Sequence, residues 1–505
     1  MPDTFLTLPA GENQARGIAQ YALDFCAGKF PGPSMAVFQR VERFHLDSMA
    51  CGVSALACGA NAPNVLRREA LEYAAAAGAP GVPCFGSTLR VAPEKAVLAN
   101  SSAVREWDAN GTNFGYNPRS GHTRGEFGHN DFYPVAVAAA QLAGLDGRRT
   151  LAAMICLDEI RGRLAEVFAL KDHKVDHVVY GAIASAAVYG AVLGATEDQI
   201  ESALGLFVAH YIPFRAIRAG KQLSDSKGAS AAISAEMAVA SMRRAMRGFV
   251  GPADIFRNPE AIFCLFEKPT RPATSPFDLE LATGGDDFAV LGMHFKLGLY
   301  EHQSAGAIQG LMDLLAAHPK LLDDERQWKQ IKIAIYEPAF SIIGDPAKRD
   351  PRTRQSADHS MLYIIATLVR KALEAKRAGW QELMLVPDDY SDASITHPLT
   401  RRIMEKIEFV HGGAEYDTRY PDGIPTSLDI EHAALGRLTS GLVMYPNGHA
   451  RNTSGELDRL LAHKFRLLAG LGVDDVDALY ERFTNLADKT SQHIAELYDF
   501  KIRNM

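Results

Sequence analysis

The sequence predicts a mostly α-helical protein: a large all-α domain, then a smaller α+β domain inserted before terminal helices that return to the first. Three observations predict it. Apolar residues recur at helical spacing through most of the first 250 positions. After about residue 285 the pattern shifts to alternation rich in β-branched residues. Helical spacing resumes after about residue 450. The chain divides on this reading into 1–285, 286–449 and 450–505.

The elements follow in order. ENQARGIAQYALDFCAG and SMAVFQRVERFHLDSMACGVSALACGA carry helical periodicity. Residues 109–130 form a long polar, glycine-rich loop, and long irregular loops inside compact domains are often functional. TLAAMICLDEIRGRLAEVF, HVVYGAIASAAVYGAVLG and SAAISAEMAVASMRRAMRGF are Ala-rich helices whose small side chains permit close approach. DFAVLGMHFKLGLY, WKQIKIAIYEPAF, KIEFVHG, TSLDIEHA and RLTSGLVMYP read as strands, and SADHSMLYIIATLVRKALEAK reads as a helix. SGELDRLLAHKFRLLAGLG and VDDVDALYERFTNLADKTSQHIAELYDF close the chain as helices.

The totals narrow the function. A net charge of −7 argues against a general nucleic-acid binder, which needs clustered Lys and Arg. It leaves room for a locally basic pocket. The six cysteines form no C-x-x-C pair and read as buried thiols of a reduced, cytoplasmic protein. The N-terminal stretch lacks a signal-peptide pattern. The weakly polar run GAIASAAVYGAVLGA has 15 residues, too few for a membrane span, so it reads as a core helix.

Four clusters could carry chemistry. Asp108, Thr112 and His129 flank the long loop, with Asn130 and Asp131 beside the histidine. The plainest role for Asn130 or Asp131 is to cap the next helix. A neutral His129 in a cleft suits acid–base work near pH 7. Pairing His122 with His129 as metal ligands fits no zinc spacing rule. Asp172, His173, Asp176 and His177 precede an apolar helix, where a cap and a core histidine are the plain reading. Arg215, Arg218, Lys221 and Lys227 lead into a small-residue helix, which suits a carboxylate or a phosphate. The pattern of a Walker loop is absent there. Lys296 interrupts an apolar run and needs an anionic partner if buried. His359 and Tyr363 are four apart, so they share one helix face. The sequence shows no metal motif, nucleotide fingerprint or serine elbow.

Several longer stretches resemble the MmgE/PrpD family, which includes 2-methylcitrate dehydratases and cis-aconitate decarboxylases. They are AVREWDANGT, GHNDFYPVAVAAA, DHVVYGAIASAAVYGAVLGAT, KGASAAISAEMAV, HFKLGLYEHQSA, DPRTRQSADHSMLY, RYPDGIPTSLDIE and YPNGHARNTSGELDRLLAHKF, spread over about residues 15–470 in the family's order. The resemblance implies a helical domain with an inserted α+β lid, an active site between them, a homodimer, and no metal, iron–sulfur cluster or other cofactor. It places Asp108, Thr112, His129, His177, Lys227, Lys296 and Tyr363 at functional positions. The expected activity is a hydro-lyase acting on 2-methylcitrate or a related tricarboxylate. Decarboxylation, epimerisation and a non-catalytic chain with a decayed site are the alternatives. Asp108, His129, His177 and Tyr363 are the expected catalytic groups. Thr112, Arg215, Arg218, Lys227, Lys296 and His359 are the expected binding groups. No membrane or nucleic-acid partner is expected.

The chain departs from the family pattern around the pocket. Asn130 and Asp131 follow the loop histidine, where Pro-Ser or Pro-Gly is usual. Ala109 follows Asp108 in place of a second acid, and the loop is long. Leu297-Gly298-Leu299-Tyr300 follow Lys296 without the usual Phe-Pro. These differences bear on the choice of substrate.

Overall fold

Apolar periodicity and local stops set the helices of the first half: α1 (Gln14–Cys26), α2 (Met35–Ala57), α3 (Asn61–Glu72), α4 (Pro93–Arg105), α5 (Tyr133–Ala143), α6 (Gly147–Val167), α7 (Val178–Val192), α8 (Glu197–His210) and α9 (Ser226–Ala245). Asn13 caps α1 by accepting from the Arg16 N–H at 3.2 Å. Asp146 caps α6 through Arg149 at 2.9 Å, and Thr196 with Gln199 closes a capping box on α8. Pro93 opens α4, where its missing N–H costs nothing. The structure, a computed structural model, describes residues 4–113, 115–117, 128–218, 222–343 and 348–503.

The Ala-rich helices form the interior. α7 lies against α6, α8 and α9, and α9 also lies against α4. α7 is buried over most of its length, and it holds residues 181–192 of the GAIASAAVYGAVLGA run. Among the described residues no single helix is long and apolar enough to cross a membrane. Gly181 on α7 is required by packing: a Cβ there would lie 2.0 Å from the Phe132 ring. Phe132 directly precedes α5, so this contact fixes the chain just after His129.

The second half is the smaller α+β domain. Its four-stranded sheet has the order Ile407–His411, Trp328–Ile335, Thr426–His432, Gly436–Thr439. The first pair is parallel and the others are antiparallel. Ile331, Ile333 and Ile335 point inward with the two-residue period of a half-buried strand, and Trp328, also buried, lies three before Ile331, where the pairing shifts register. The helix Ala305–Ala317 covers the sheet, with Gly306 lying close to Thr426. Leu457–Ala469 returns to pack on α2. The protein is thus mostly helical with a smaller α+β domain.

Three expectations change. DFAVLGMHFKLGLY is a short 3-10 turn at Ala289–Gly292 followed by extended chain, and only His294 pairs as an isolated bridge, with Thr112. Its apolar residues are buried because the segment runs between layers. Neither Asn130 nor Asp131 caps α5, whose first turn has no side-chain cap. Among the cysteines, Cys58 is exposed and Cys26 is half-buried, while the other four are buried.

Candidate active site

The site is assembled from helix ends. α4 stops at Arg105, and the chain turns through Asp108 in the left-handed region at φ 52°. A two-stranded ribbon then pairs Thr112 with His129 and Asn113 with Gly128. The Thr112 hydroxyl donates to the Gly128 carbonyl at 2.8 Å. Thr112 and His294 exchange backbone bonds at 3.0 and 2.7 Å, which ties the ribbon to the segment carrying Lys296. His122 and the bulk of the long loop, like Lys221, lie outside the described residues.

Asp108 is the centre of an ionic cluster. Its carboxylate accepts from Arg105 at 2.5 Å and from Lys296. Lys227 lies 3.4 Å from it and His359 Nε2 3.2 Å. Lys227 also reaches Asp358 at 2.7 Å, and Arg354 joins Asp358 at 3.0 Å to Glu106 at 2.5 Å. His359 Nδ1 is 2.8 Å from Asp358. Burial alone would raise the Asp108 carboxyl; Arg105, Lys296 and Lys227 overcome it and hold the group well below the usual carboxylate range. Lys464 braces the cluster from behind. Its Nζ meets Asp47 at 2.6 Å and donates to the carbonyls of Ala109 at 2.6 Å and Lys296 at 2.8 Å.

The two histidines form a separate pair, with ring centroids 5.2 Å apart. His129 Nε2 faces an Arg105 N–H at 3.4 Å, and its Nδ1 has no hydrogen-bond partner among the described residues. His177 Nε2 faces an Arg218 N–H at 3.4 Å. Asp176 caps α7 through the Val178 N–H at 3.2 Å and also binds Arg218. Burial depresses both rings. Arg105 and Lys296 add to it at His129, which falls well below its ordinary value, and His177 is pushed down to about 3. Both imidazoles are therefore neutral at pH 7.

These groups enclose a cavity of about 100 Å³. Asp108, Thr112, His129, His177, Arg215, Arg218, Lys227, Lys296 and His359 all line it. Tyr363 does not. Its hydroxyl donates to the Asp389 carbonyl and its ring packs on Tyr390. His359 sits in the break between the helices Arg354–Ala357 and Met361–Ala375, so it and Tyr363 share no helix face. Tyr363, expected among the catalytic groups, thus lies outside this cavity.

Sequence reasoning missed Arg105, Asp358, Arg354, Lys464 and Glu301. A signal existed for the first, since Arg105 and Asp108 stand three apart at a helix end. Arg354 and Asp358 stand four apart and also pair, whereas Lys464 acts across hundreds of residues and gives no local signal. A second cavity of about 250 Å³ lies beside Asn113 and His294. Arg163 and Glu166 pair with each other there, as do Arg451 and Asp422, so its larger volume comes with less unsatisfied chemistry. Asp108, Asp358 and His359 place three possible metal-ligand atoms within 4.8 Å of one another. Lys227 bridges both of these carboxylates, and Arg105 and Lys296 adjoin them, so a divalent cation would meet strong repulsion.

Fold and site define a mostly helical protein with a pocket lined by cationic and imidazole side chains. Its family follows from comparison with known proteins. The MmgE/PrpD N-terminal domain is matched over residues 16–274 and the MmgE/PrpD C-terminal domain over residues 300–487, and the chain belongs to this family. The 2-methylcitrate dehydratase of Salmonella typhi is 24% identical over 443 residues, covering 84% of each chain. The 2-methylcitrate dehydratases of Salmonella typhimurium (strain LT2) and Escherichia coli (strain K12) are 23% and 22% identical, again with 84% of each chain covered.

Proposed function

We propose that the protein is a hydro-lyase that dehydrates 2-methylcitrate or a closely related tricarboxylate. One observation carries this reading. Six cationic side chains line the cavity against two carboxyls, and four neutral imidazoles stand among them, His129 and His177 facing each other. That balance suits a multiply anionic substrate and a base that is ready at neutral pH. The relatives' names supply the substrate class.

Arg105, Arg215 and Arg218 would hold carboxylates. The contacts from Arg105 to His129 and from Arg218 to His177 are long at 3.4 Å, hence weak. A substrate carboxylate taking over either guanidinium would free the imidazole nitrogen to accept a proton. That proton would come from the carbon beside a carboxylate. Lys227 and Lys296 would stabilise the charge that spreads into the carboxylate as the C–H bond breaks. Loss of hydroxide from the neighbouring carbon completes the double bond. The step moves a proton and a hydroxide and needs no electron carrier.

The test is incubation of purified protein with 2-methylcitrate, citrate and cis-aconitate, followed by ultraviolet absorbance and mass spectrometry. An unsaturated product lighter by one water supports the reading. Release of carbon dioxide without loss of water would assign a decarboxylase. No turnover of any of the three would overturn the dehydratase reading.

A further inference from the structure

The dehydratase reading leaves one group unassigned: the acid that lets hydroxide leave as water. Its neighbouring polar groups do not suit the role. His129 and His177 are neutral, and a neutral imidazole N–H is a far weaker acid than imidazolium. The Tyr363 hydroxyl is bound to the Asp389 carbonyl outside the cavity. Lys227 and Lys296 carry protons, but each is bound to a buried carboxylate that its neutralisation would leave less well paired. Any proton on His359 is committed to Asp108 or Asp358, which its two nitrogens contact.

Glu301 is different. It lines the cavity five residues after Lys296. Its backbone is fixed on both sides: its N–H donates to the Asp358 carbonyl at 2.8 Å, and its carbonyl accepts from Ser304 at 3.0 Å. The Gln303 N–H binds its carboxyl. The residue keeps partial exposure, yet Oε2 is enclosed and has no hydrogen-bond partner among the described residues. An enclosed, unpartnered oxygen on a carboxyl is costly as an anion and acceptable as an acid. Lys348, Lys296 and the Gln303 N–H favour the carboxylate, whereas burial and Asp108 oppose it. Burial dominates and pushes the group up to about 7.

We propose that Glu301 is the general acid of this site, donating its proton to the departing hydroxyl. The proposal rests on the dehydratase reading. The C–H proton passes to an imidazole, and the C–H electron pair becomes the second bond between the carbons. The C–O bond breaks with its pair on oxygen, and the Glu301 proton completes water. The imidazolium and the Glu301 carboxylate then reset through solvent.

The experiment compares two leaving groups in wild type and Glu301→Gln. The substrates are 2-methylcitrate and its analogue with fluorine in place of the hydroxyl, since fluoride can leave without a full proton transfer. Glu301→Gln is expected to slow water loss by at least about 10²-fold while fluoride loss changes less than about threefold. Wild-type turnover should decline as pH rises through about 7, and that limb should vanish in the variant. Glu301→Asp should restore part of the water loss. Equal slowing of both substrates would show a structural role and overturn the proposal. Unchanged water loss in Glu301→Gln beside an active wild type would overturn the Glu301 assignment alone. A wild type inactive on every hydroxytricarboxylate would overturn the dehydratase reading and this assignment with it.

Discussion

His129 and His177, on the helical wall of the cavity, are neutral rings touched only lightly by guanidinium groups. On the opposite wall Lys296 pairs with Asp108 and Asp358 pairs with Lys227, and the His359 ring, which burial pushes down to about 3, is held between the two carboxylates. The first arrangement leaves nitrogens available to a ligand. The second commits nearly every charge to a neighbour and joins the two domains. One wall is built to react, and the other to stay in place until an anion competes for its cations. This separation predicts that substitutions on the two walls affect different measurements.

The largest effect belongs to the ionic wall. Asp108→Asn leaves Lys296, Lys227 and Arg105 without their shared carboxylate. Breaking a buried ion pair from one side costs on the order of 3–5 kcal/mol, so denaturant unfolding should show a loss of that size along with lost turnover. A variant as stable as wild type would show that the cluster is not a structural junction. Next come the rings. His129→Ala and His177→Ala should each lower kcat by about 10²–10⁴-fold, with unfolding midpoints close to wild type. A large loss of stability with either would erase the distinction between the walls.

Depressed histidine pKa values alone do not separate them. His45 is also pushed down to about 3, by burial alone, and it packs against Tyr133 and Phe483 far from any charge. What marks His177 is the cavity it faces. Both rings have the same consequence for stability. Unfolded histidines take up protons below about pH 6.5, whereas these rings stay neutral in the native state down to about pH 3. The unfolded state therefore binds more protons across that window. Stability is fully present above about pH 6.5 and is lost as pH falls, by more than about 1 kcal/mol per pH unit for each ring. Depressed carboxylates such as Asp108 add to the loss only below about pH 4. Denaturation curves at successive pH values measure the slope, and His45→Leu should lessen it without lowering activity. A slope that is flat from pH 7 to pH 5 would contradict neutral buried rings.

How far the sequence revealed this depended on the range of the interactions. Helices such as α6 and α7 were legible because burial repeats along each helix itself. The strand Trp328–Ile335 was legible for the same reason, with a shorter period. Segment 287–300 reads as a strand from its buried apolar residues, but it is irregular chain between layers, with two backbone bonds to Thr112 and one each to Gly448 and Leu385. Asn130 and Asp131 looked like caps because caps are the commonest local use of such residues. Asp131 instead binds Asn110 and lies 3.6 Å from Arg105. The site histidines and lysines stood out through motifs, but Lys464, and the contact of Arg354 with Glu106, could be placed only once distant chain segments met.

The smallest effect concerns Tyr363, and it tests the boundary of the site. Motif resemblance put this residue among the catalytic groups. The geometry gives its hydroxyl to the Asp389 carbonyl, next to the ion pair of Lys371 with Asp389 at 2.6 Å. Burial pushes the phenol up to about 12, further from a proton donor at neutral pH. Tyr363→Phe removes one buried hydrogen bond and leaves a carbonyl to find another partner. It should cost about 1 kcal/mol of stability and change kcat less than about threefold. A fall of about 10²-fold or more would mean that Tyr363 leaves Asp389 and enters the cavity when substrate binds. The walls would then be rearranged on binding, and the neutral-ring and ion-pair division described for the closed cavity would not hold in the working state.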